Sequence, residues 1–179
     1  MAQEAIIREA TCADVPAIAR VHVDTWRTTY PGIMPDEFLA NLSYERSEQR
    51  WAASLCVEDS PTFVYVAEQD GKVVGFSSAG PVAHGNVQGF DGELYTIYLL
   101  KDQQQSGLGR QLVRAVAQRF AEEGKTSMML WMAAENTPAR RFYEKLGGIP
   151  VQTQVTEFSG VPINEIAYGW QDISGLLNL

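Results

Sequence analysis

Residues 104–110 read Gln104-Gln105-Ser106-Gly107-Leu108-Gly109-Arg110, a glycine pair set between two different periodicities. Upstream, residues 92–100 are β-rich. Downstream, Leu108, Leu112, Ala115, Val116, Arg119 and Phe120 follow helical spacing, Gln111, Arg114, Gln118 and Glu122 fall on the polar side, and Gly124 supplies a stop. A strand therefore runs directly into an amphipathic helix. Glycines at such a turn let the backbone approach a ligand closely. The unpaired N–H groups of the first helical turn, aided by the helix dipole, then form an anion site whose natural guest is a phosphate. The same pair also suits a plain tight turn, and a glycine pair alone does not choose between them. A nucleoside-triphosphate loop is excluded, because the Gly-Lys-Ser/Thr ending is missing. A dinucleotide fingerprint fits poorly, because the third glycine is absent and several strands come first.

Working outward toward the N-terminus, residues 5–8 read as a short strand. Residues 14–26 place Val15, Ile18, Ala19, Val21, His22, Val23 and Trp26 in a helical pattern, with Thr11 as cap. Residues 35–42 and 44–55 form a second helical region. Residues 62–68, 72–78 and 92–100 are strands, separated by the turn Gln69-Asp70-Gly71 and a Gly-rich stretch over residues 81–89. Toward the C-terminus, residues 127–133 form a strand. Thr137-Pro138 then caps a short helix with Pro at its first position, Ala139, Phe142, Tyr143 and Leu146 make the apolar stripe, and Gly147 ends it. Closing strands near 150–158 and 163–170 flank the turn Ser159-Gly160. No repeat, low-complexity tract or linker interrupts this order. A chain of 179 residues, 45% of them hydrophobic, thus predicts one α/β domain spanning 1–179.

The segment Asn136-Thr137-Pro138-Ala139-Arg140-Arg141-Phe142-Tyr143-Glu144-Lys145-Leu146-Gly147 settles the reading of the glycine turn. Together the two stretches resemble the GNAT N-acetyltransferase superfamily. Its pattern is Arg/Gln-x-x-Gly-x-Gly/Ala at a strand-to-helix turn, followed by a strand and a helix close to Asn-x-x-Ala-x-x-Phe-Tyr-x-x-Leu-Gly. Gln104, Gly107 and Gly109 match the first part. Asn136, Ala139, Phe142, Tyr143, Leu146 and Gly147 match the second. The element order agrees from about residue 6 to residue 170.

The resemblance implies an α/β (mixed α+β) fold of the GNAT acyl-CoA N-acyltransferase type: a strongly twisted mixed sheet with helices on both faces. The central strands ending near Leu100 and Ala133 would splay apart around the pantetheine of acetyl-CoA. Its pyrophosphate would lie on the backbone of Gln104, Gln105, Ser106, Gly107, Leu108, Gly109 and Arg110. Ile97, Tyr98 and Leu99 would pair to the pantetheine like an added strand, and Asn136 would contact the cofactor or cap its helix. Arg110 would add charge or stand as a solvated helix residue. Two departures stand out. Residues 103–106 read Gln103-Gln104-Gln105-Ser106 where relatives commonly carry an aromatic followed by Arg-Gly-Lys, which predicts weaker phosphate attraction. Gly148 replaces a frequent aromatic, which predicts looser packing near the cofactor.

Acetyl transfer to an amine needs a neutral nucleophile, a hydrogen-bond donor for the developing oxyanion and a proton for the departing thiolate. Tyr143 matches the family position whose phenol protonates the sulfur, and core packing is the competing reading. Backbone N–H groups at residues 97–99 would hold the oxyanion. Glu93 sits where several relatives carry the carboxylate that accepts the amine proton, and alternation puts Glu93, Tyr95 and Ile97 on one face; an exposed strand-edge charge is the alternative. Trp26 and Tyr30 are expected to wall the acceptor pocket, although the spacing of Trp26 also suits packing between helices. His22 reads as a core histidine and His84 as an exposed loop residue.

The formal charge of −8 disfavours nucleic acid and anionic lipid as partners and suits a cationic substrate. No run is long and apolar enough to span a bilayer and the N-terminus has no signal-peptide pattern, so a cytoplasmic protein is expected. The two cysteines, Cys12 and Cys56, lack metal-site spacing, which predicts reduced thiols and no metal. The reading is an acetyl-CoA-dependent acyltransferase acting on a primary amine of a small molecule or peptide by direct attack in a ternary complex. A non-catalytic CoA-binding regulatory module, transfer of another acyl group, or transfer to a protein N-terminus are the alternatives. A homodimer is left open by the aromatic segment Tyr168-Gly169-Trp170.

Overall fold

Short polar turns fold the β-rich runs back on one another. In the computed structural model, which describes residues 5–179, Asp70 (φ 50°) and Gly71 (φ 73°) close the tight turn between two strands. The strands in chain order are β1 (Ile6–Glu9), β2 (Phe63–Gln69), β3 (Lys72–Gly80), β4 (Gly92–Leu99), β5 (Met128–Ala133), β6 (Ile149–Phe158) and β7 (Val161–Trp170). They form a seven-stranded sheet in the order β1-β2-β3-β4-β5-β7-β6. All neighbours are antiparallel except β4 and β5, which run parallel and share only the pairs Gly92–Met128 and Glu93–Met129. Beyond that seam the two strands diverge, as the resemblance implied. The reading of an N-terminus without a signal pattern falls partly on residues 1–4, outside the described residues.

The helices are α1 (Val15–Thr29), α2 (Asp36–Ala40), α3 (Tyr44–Leu55), α4 (Leu108–Glu122) and α5 (Thr137–Lys145). Their apolar stripes divide the core. Ile18, Val21 and Trp51 of α1 and α3 pack with Val64, Val66 and Phe76 on one side of the sheet. Val113, Val116 and Phe120 of α4, with Tyr143 of α5, pack with Leu94, Met128, Leu130 and Tyr168 on the other. Burying a side chain of this size contributes roughly 1.5–3 kcal/mol, so each helix is held mainly by its stripe.

Four expectations need correction. The register slips between Ser78 and Ala79, whose partners are Thr96 and Leu94, leaving Tyr95 as the extra residue of a bulge. Strict alternation therefore fails in β4: Ile97 packs with Leu94 in the α4 core, while Glu93 bonds to the loop over residues 81–91. The cap of α5 is Asn136, whose Oδ1 accepts the N–H of Ala139, rather than Thr137. Gly148 does not loosen the packing, because a Cβ there would stand 2.7 Å from the Trp170 ring, which already fills the space.

The fourth correction concerns the cysteines, which are not free thiols. Cys12, in the turn after β1, and Cys56, at the C-cap of α3, form a disulfide with a Cα separation of 5.1 Å. Packing of α3 against α1 brings together residues 44 positions apart, a proximity that spacing in the sequence does not reveal. Tyr168 and Trp170 belong to the core: the Tyr168 hydroxyl donates to Glu144 at 2.6 Å and the Trp170 indole donates to the Leu146 carbonyl at 2.9 Å. Among the described residues, no helix is long and apolar enough to cross a membrane, and no group of three or more His, Cys, Asp and Glu could hold a metal.

Candidate active site

The divergence of β4 and β5 opens a cavity of about 1060 Å³, floored by the two strands and closed by the end of α1, the start of α4 and α5. At one end lies the turn into α4. Gly107 is its N-cap with φ 91°, a left-handed conformation that favours glycine, and it offers no side chain to cap the first N–H groups. A Cβ on Gly107 would meet nothing within 4 Å, so this glycine serves the backbone angle. Gly109 serves packing, since a Cβ there would lie 3.2 Å from the Phe142 ring and 3.5 Å from Leu99. The loop is pinned as well: Gln104 Nε2 donates to the Leu99 carbonyl at 3.2 Å, and Ser106 Oγ donates to the Gln103 carbonyl at 2.6 Å.

Lys101, Arg110 and Lys145 line the cavity, and of these Arg110 lies in the first turn of α4 and Lys101 in the turn that leads to it. The residues present fit a pyrophosphate: a helix start without a side-chain cap, a left-handed glycine, and Arg110 in the first turn.

The middle of the cavity is phenolic. Tyr143 is buried at 6% exposure among Phe142, Tyr168 and Trp170, yet lines the cavity. Burial, with Tyr30 nearby, pushes its phenol well above the usual tyrosine range, so it holds its proton at neutral pH. Tyr30, at the C-cap of α1, interacts through its hydroxyl with Tyr98 and Asn136, and burial raises its phenol as well. Trp26 does not line the cavity; its ring stands 4.6 Å from that of Tyr30, with Phe38 and Phe158 behind it.

His22 lies beneath this wall, its ring stacked 5.5 Å from Tyr98. Its Nδ1 accepts from the Trp51 indole at 3.3 Å and meets Ser47 Oγ at 3.0 Å, so it is a satisfied core histidine. Burial, with Arg50 adding repulsion, pushes its pKa down to about 4.

Of the residues expected to bind the cofactor, Ile97, Tyr98, Leu99, Gln104, Gln105, Gly107, Gly109, Arg110, Asn136 and Tyr143 line one cavity; Ser106 and Leu108 stand in the same turn without lining it. Glu93 does not line it either. Its side chain is 2% exposed and its oxygens are engaged: Oε2 accepts the N–H groups of Ala83 at 2.8 Å and His84 at 3.0 Å, and Oε1 pairs with His84 Nδ1 at 2.7 Å. His84, expected to be merely exposed, is thus tied to Glu93. The sequence shows only a histidine in a Gly-rich loop, and the signal that could have singled it out is its place nine residues before a strand-borne glutamate.

Comparison with known proteins agrees with this geometry. The chain is 39% identical over 174 residues to the uncharacterized N-acetyltransferase YuaI of Bacillus subtilis, covering 97% of this chain and 96% of that one. Among solved structures, it is similar to the PaiA N-acetyltransferase of Thermoplasma acidophilum in complex with coenzyme A, with a TM-score of 0.71 and 18% identity over 94% of this chain and 100% of that one. It is also similar to YncA of Salmonella typhimurium with its cofactor acetyl-CoA, with a TM-score of 0.68 and 19% identity over 94% of each chain. The model of the acetyltransferase (GNAT) family matches residues 17–148. With a family match across most of its length and a relative aligned almost end to end, the chain belongs to the GNAT family and is an acetyltransferase.

Proposed function

We propose that the protein transfers the acetyl group of acetyl-CoA to a primary amine of a small molecule or peptide, by direct attack with both substrates held in the cavity. The observation that carries this reading is the continuity of that cavity, from the uncapped N-terminus of α4 to the buried phenol of Tyr143. Acetyl-CoA supplies the activated acyl group. Gln104 to Arg110 hold its pyrophosphate on their N–H groups, with Lys101, Arg110 and Lys145 adding charge. The edge of β4 at Ile97, Tyr98 and Leu99, past the end of the ladder with β5, pairs with the extended arm and offers N–H groups to the carbonyl oxygen that gains negative charge. Tyr143, which lines the cavity and carries its proton at neutral pH, gives that proton to the departing sulfur.

Polarity supports a cationic acceptor. Glu135 lines the cavity, and Glu165 acts electrostatically on both Tyr30 and His84. Both carboxylates add negative potential to the cavity and its surroundings. Tyr30 forms the wall of the acceptor subsite, and Trp26 backs it. We place the reaction in the cytosol.

The test is a thiol-release assay with acetyl-CoA and a panel of polyamines, amino acids, aminoglycosides and peptide N-termini, with calorimetric CoA binding alongside. Turnover with one amine class, lowered about 100-fold or more in Tyr143→Phe while CoA affinity holds, is the expected result. Tight acetyl-CoA binding with no turnover of any amine would reject it.

A further inference from the structure

We propose that His84 is the base that takes the proton from the acceptor amine and that Glu93 is a positioning residue acting through it; the inference rests on the acetyl transfer proposed above. The argument begins with the loop joining β3 to β4. Three side chains anchor its first residues. Tyr95 donates its hydroxyl to the Pro81 carbonyl at 2.5 Å, Glu93 receives the N–H groups of Ala83 and His84, and the Trp131 indole donates to the His84 carbonyl at 3.0 Å. A surface loop does not require such anchoring to turn a corner. It places one backbone position, that of His84.

The side chain is oriented just as closely. A carboxylate only accepts, so the 2.7 Å contact makes His84 Nδ1 the donor and leaves the lone pair of the neutral ring on Nε2. Nε2 faces away from Glu93 by the geometry of the ring. The imidazole stands edge-on to Tyr95, with ring centres 5.3 Å apart, and both Tyr95 and Trp131 line the cavity. His84 itself does not line the cavity; it borders it through these two residues. Its side chain is 63% exposed where that of Glu93 is 2% exposed, so the histidine is open to an approaching amine where the carboxylate is shut away. A buried carboxylate holding an imidazole in one tautomer is an orienting arrangement.

The groups facing the imidazole are Glu93 and Tyr95 from β4 and Glu165 from β7; Trp131, from β5, is uncharged. The hydrogen bond that His84 donates to Glu93 raises the pKa of His84, outweighing the lowering by burial, and Glu165 raises it further. The ring is therefore a stronger base than a free histidine, and it is disabled by protonation at a higher pH.

In the step proposed, Nε2 takes one proton from the ammonium form of the acceptor. The freed lone pair forms the C–N bond to the acetyl carbon, and the C–S bond breaks with its electron pair on sulfur. The thiolate takes the phenol proton of Tyr143, the second proton shed by the acylated nitrogen restores that phenol, and the imidazolium releases its proton to solvent. The products are the amide, the free thiol and one proton.

The experiment compares wild type, His84→Asn and Glu93→Gln with two acceptors: the fastest alkylamine of the panel, and hydroxylamine, which is already neutral at pH 7. Asparagine keeps a donor near the place of Nδ1, so the loop stays anchored while Nε2 is lost. His84→Asn is expected to lower kcat/KM for the alkylamine about 100-fold or more while hydroxylamine turnover stays near wild type. The acid limb of the wild-type alkylamine profile is expected to lie above pH 6.5. It should disappear in His84→Asn and move to lower pH in Glu93→Gln. An equal fall with both nucleophiles, or no fall with either, overturns the assignment and leaves the transferase reading intact. A wild type that acetylates neither nucleophile overturns both.

Discussion

Acidification provides a test of the core beneath the site. His22 is buried between α1 and α3, and its pKa is pushed down from 6.5 to about 4. In the unfolded chain the same ring titrates normally, so between these values the unfolded state binds more protons than the folded one. Stability from keeping His22 neutral is thus fully present above pH 6.5 and is lost as pH falls toward 4. The full displacement is worth about 3 kcal/mol, of which about 2.5 kcal/mol is already lost near pH 4.5.

Two other groups leave that window readable. Asp14 is held down to about 2 by the bidentate bond from Arg8, so its contribution is lost only at lower pH. The raised His84 has the opposite sign: its contribution is complete below its unfolded value and is lost as pH rises through the folded one. Urea unfolding of wild type and His22→Asn, each near neutral pH and near pH 4.5, isolates the term, because asparagine can still accept from the Trp51 indole. The variant is expected to lose about 2 kcal/mol less than wild type over that interval. Equal losses in the two proteins would refute the reasoning.

The Cys12–Cys56 bond closes a loop between residues 44 positions apart, which in a chain-entropy account is worth about 4 kcal/mol. Reduction, or the double serine variant, should lower the urea midpoint with little change in CoA affinity. Gly107→Ala meets no steric obstacle but must hold φ 91°, so a cost of roughly 1–2 kcal/mol is expected, with weaker CoA binding by calorimetry. Replacing both Lys101 and Arg110 by alanine should weaken CoA binding and flatten its salt dependence, measured by titration at two ionic strengths.

Much of this architecture was legible because local and global signals agree. The turn at Gly107, the stripe from Leu108 to Phe120 and the motif from Asn136 to Gly147 each carry their own geometry in residue type and spacing. What was hidden depends on pairing between distant segments. The bulge at Tyr95 has no local mark, since period-two alternation continues in the letters while the backbone slips against β3. The disulfide depends on how α3 lies against α1, and the partnership of His84 with Glu93 depends on a loop folding back over its own strand. Asn136, read both as cofactor contact and as cap, is seen to cap α5 and to line the cavity.

The short seam between β4 and β5 has a mechanical meaning. A sheet interrupted after two residue pairs is two plates sharing a narrow weld, kept in line by the α4 side chains Val113, Val116 and Phe120, which share one core with Leu94 of the first plate and Met128, Leu130 and Tyr168 of the second. An extended guest that bonds along the open edge would finish the sheet and so act as a structural member as well as a reagent. Such a guest at a hundred times its dissociation constant would raise stability by about 2.7 kcal/mol. The catalytic cycle would then alternate between a braced scaffold and a looser one, with product departure returning the molecule to its more compliant form.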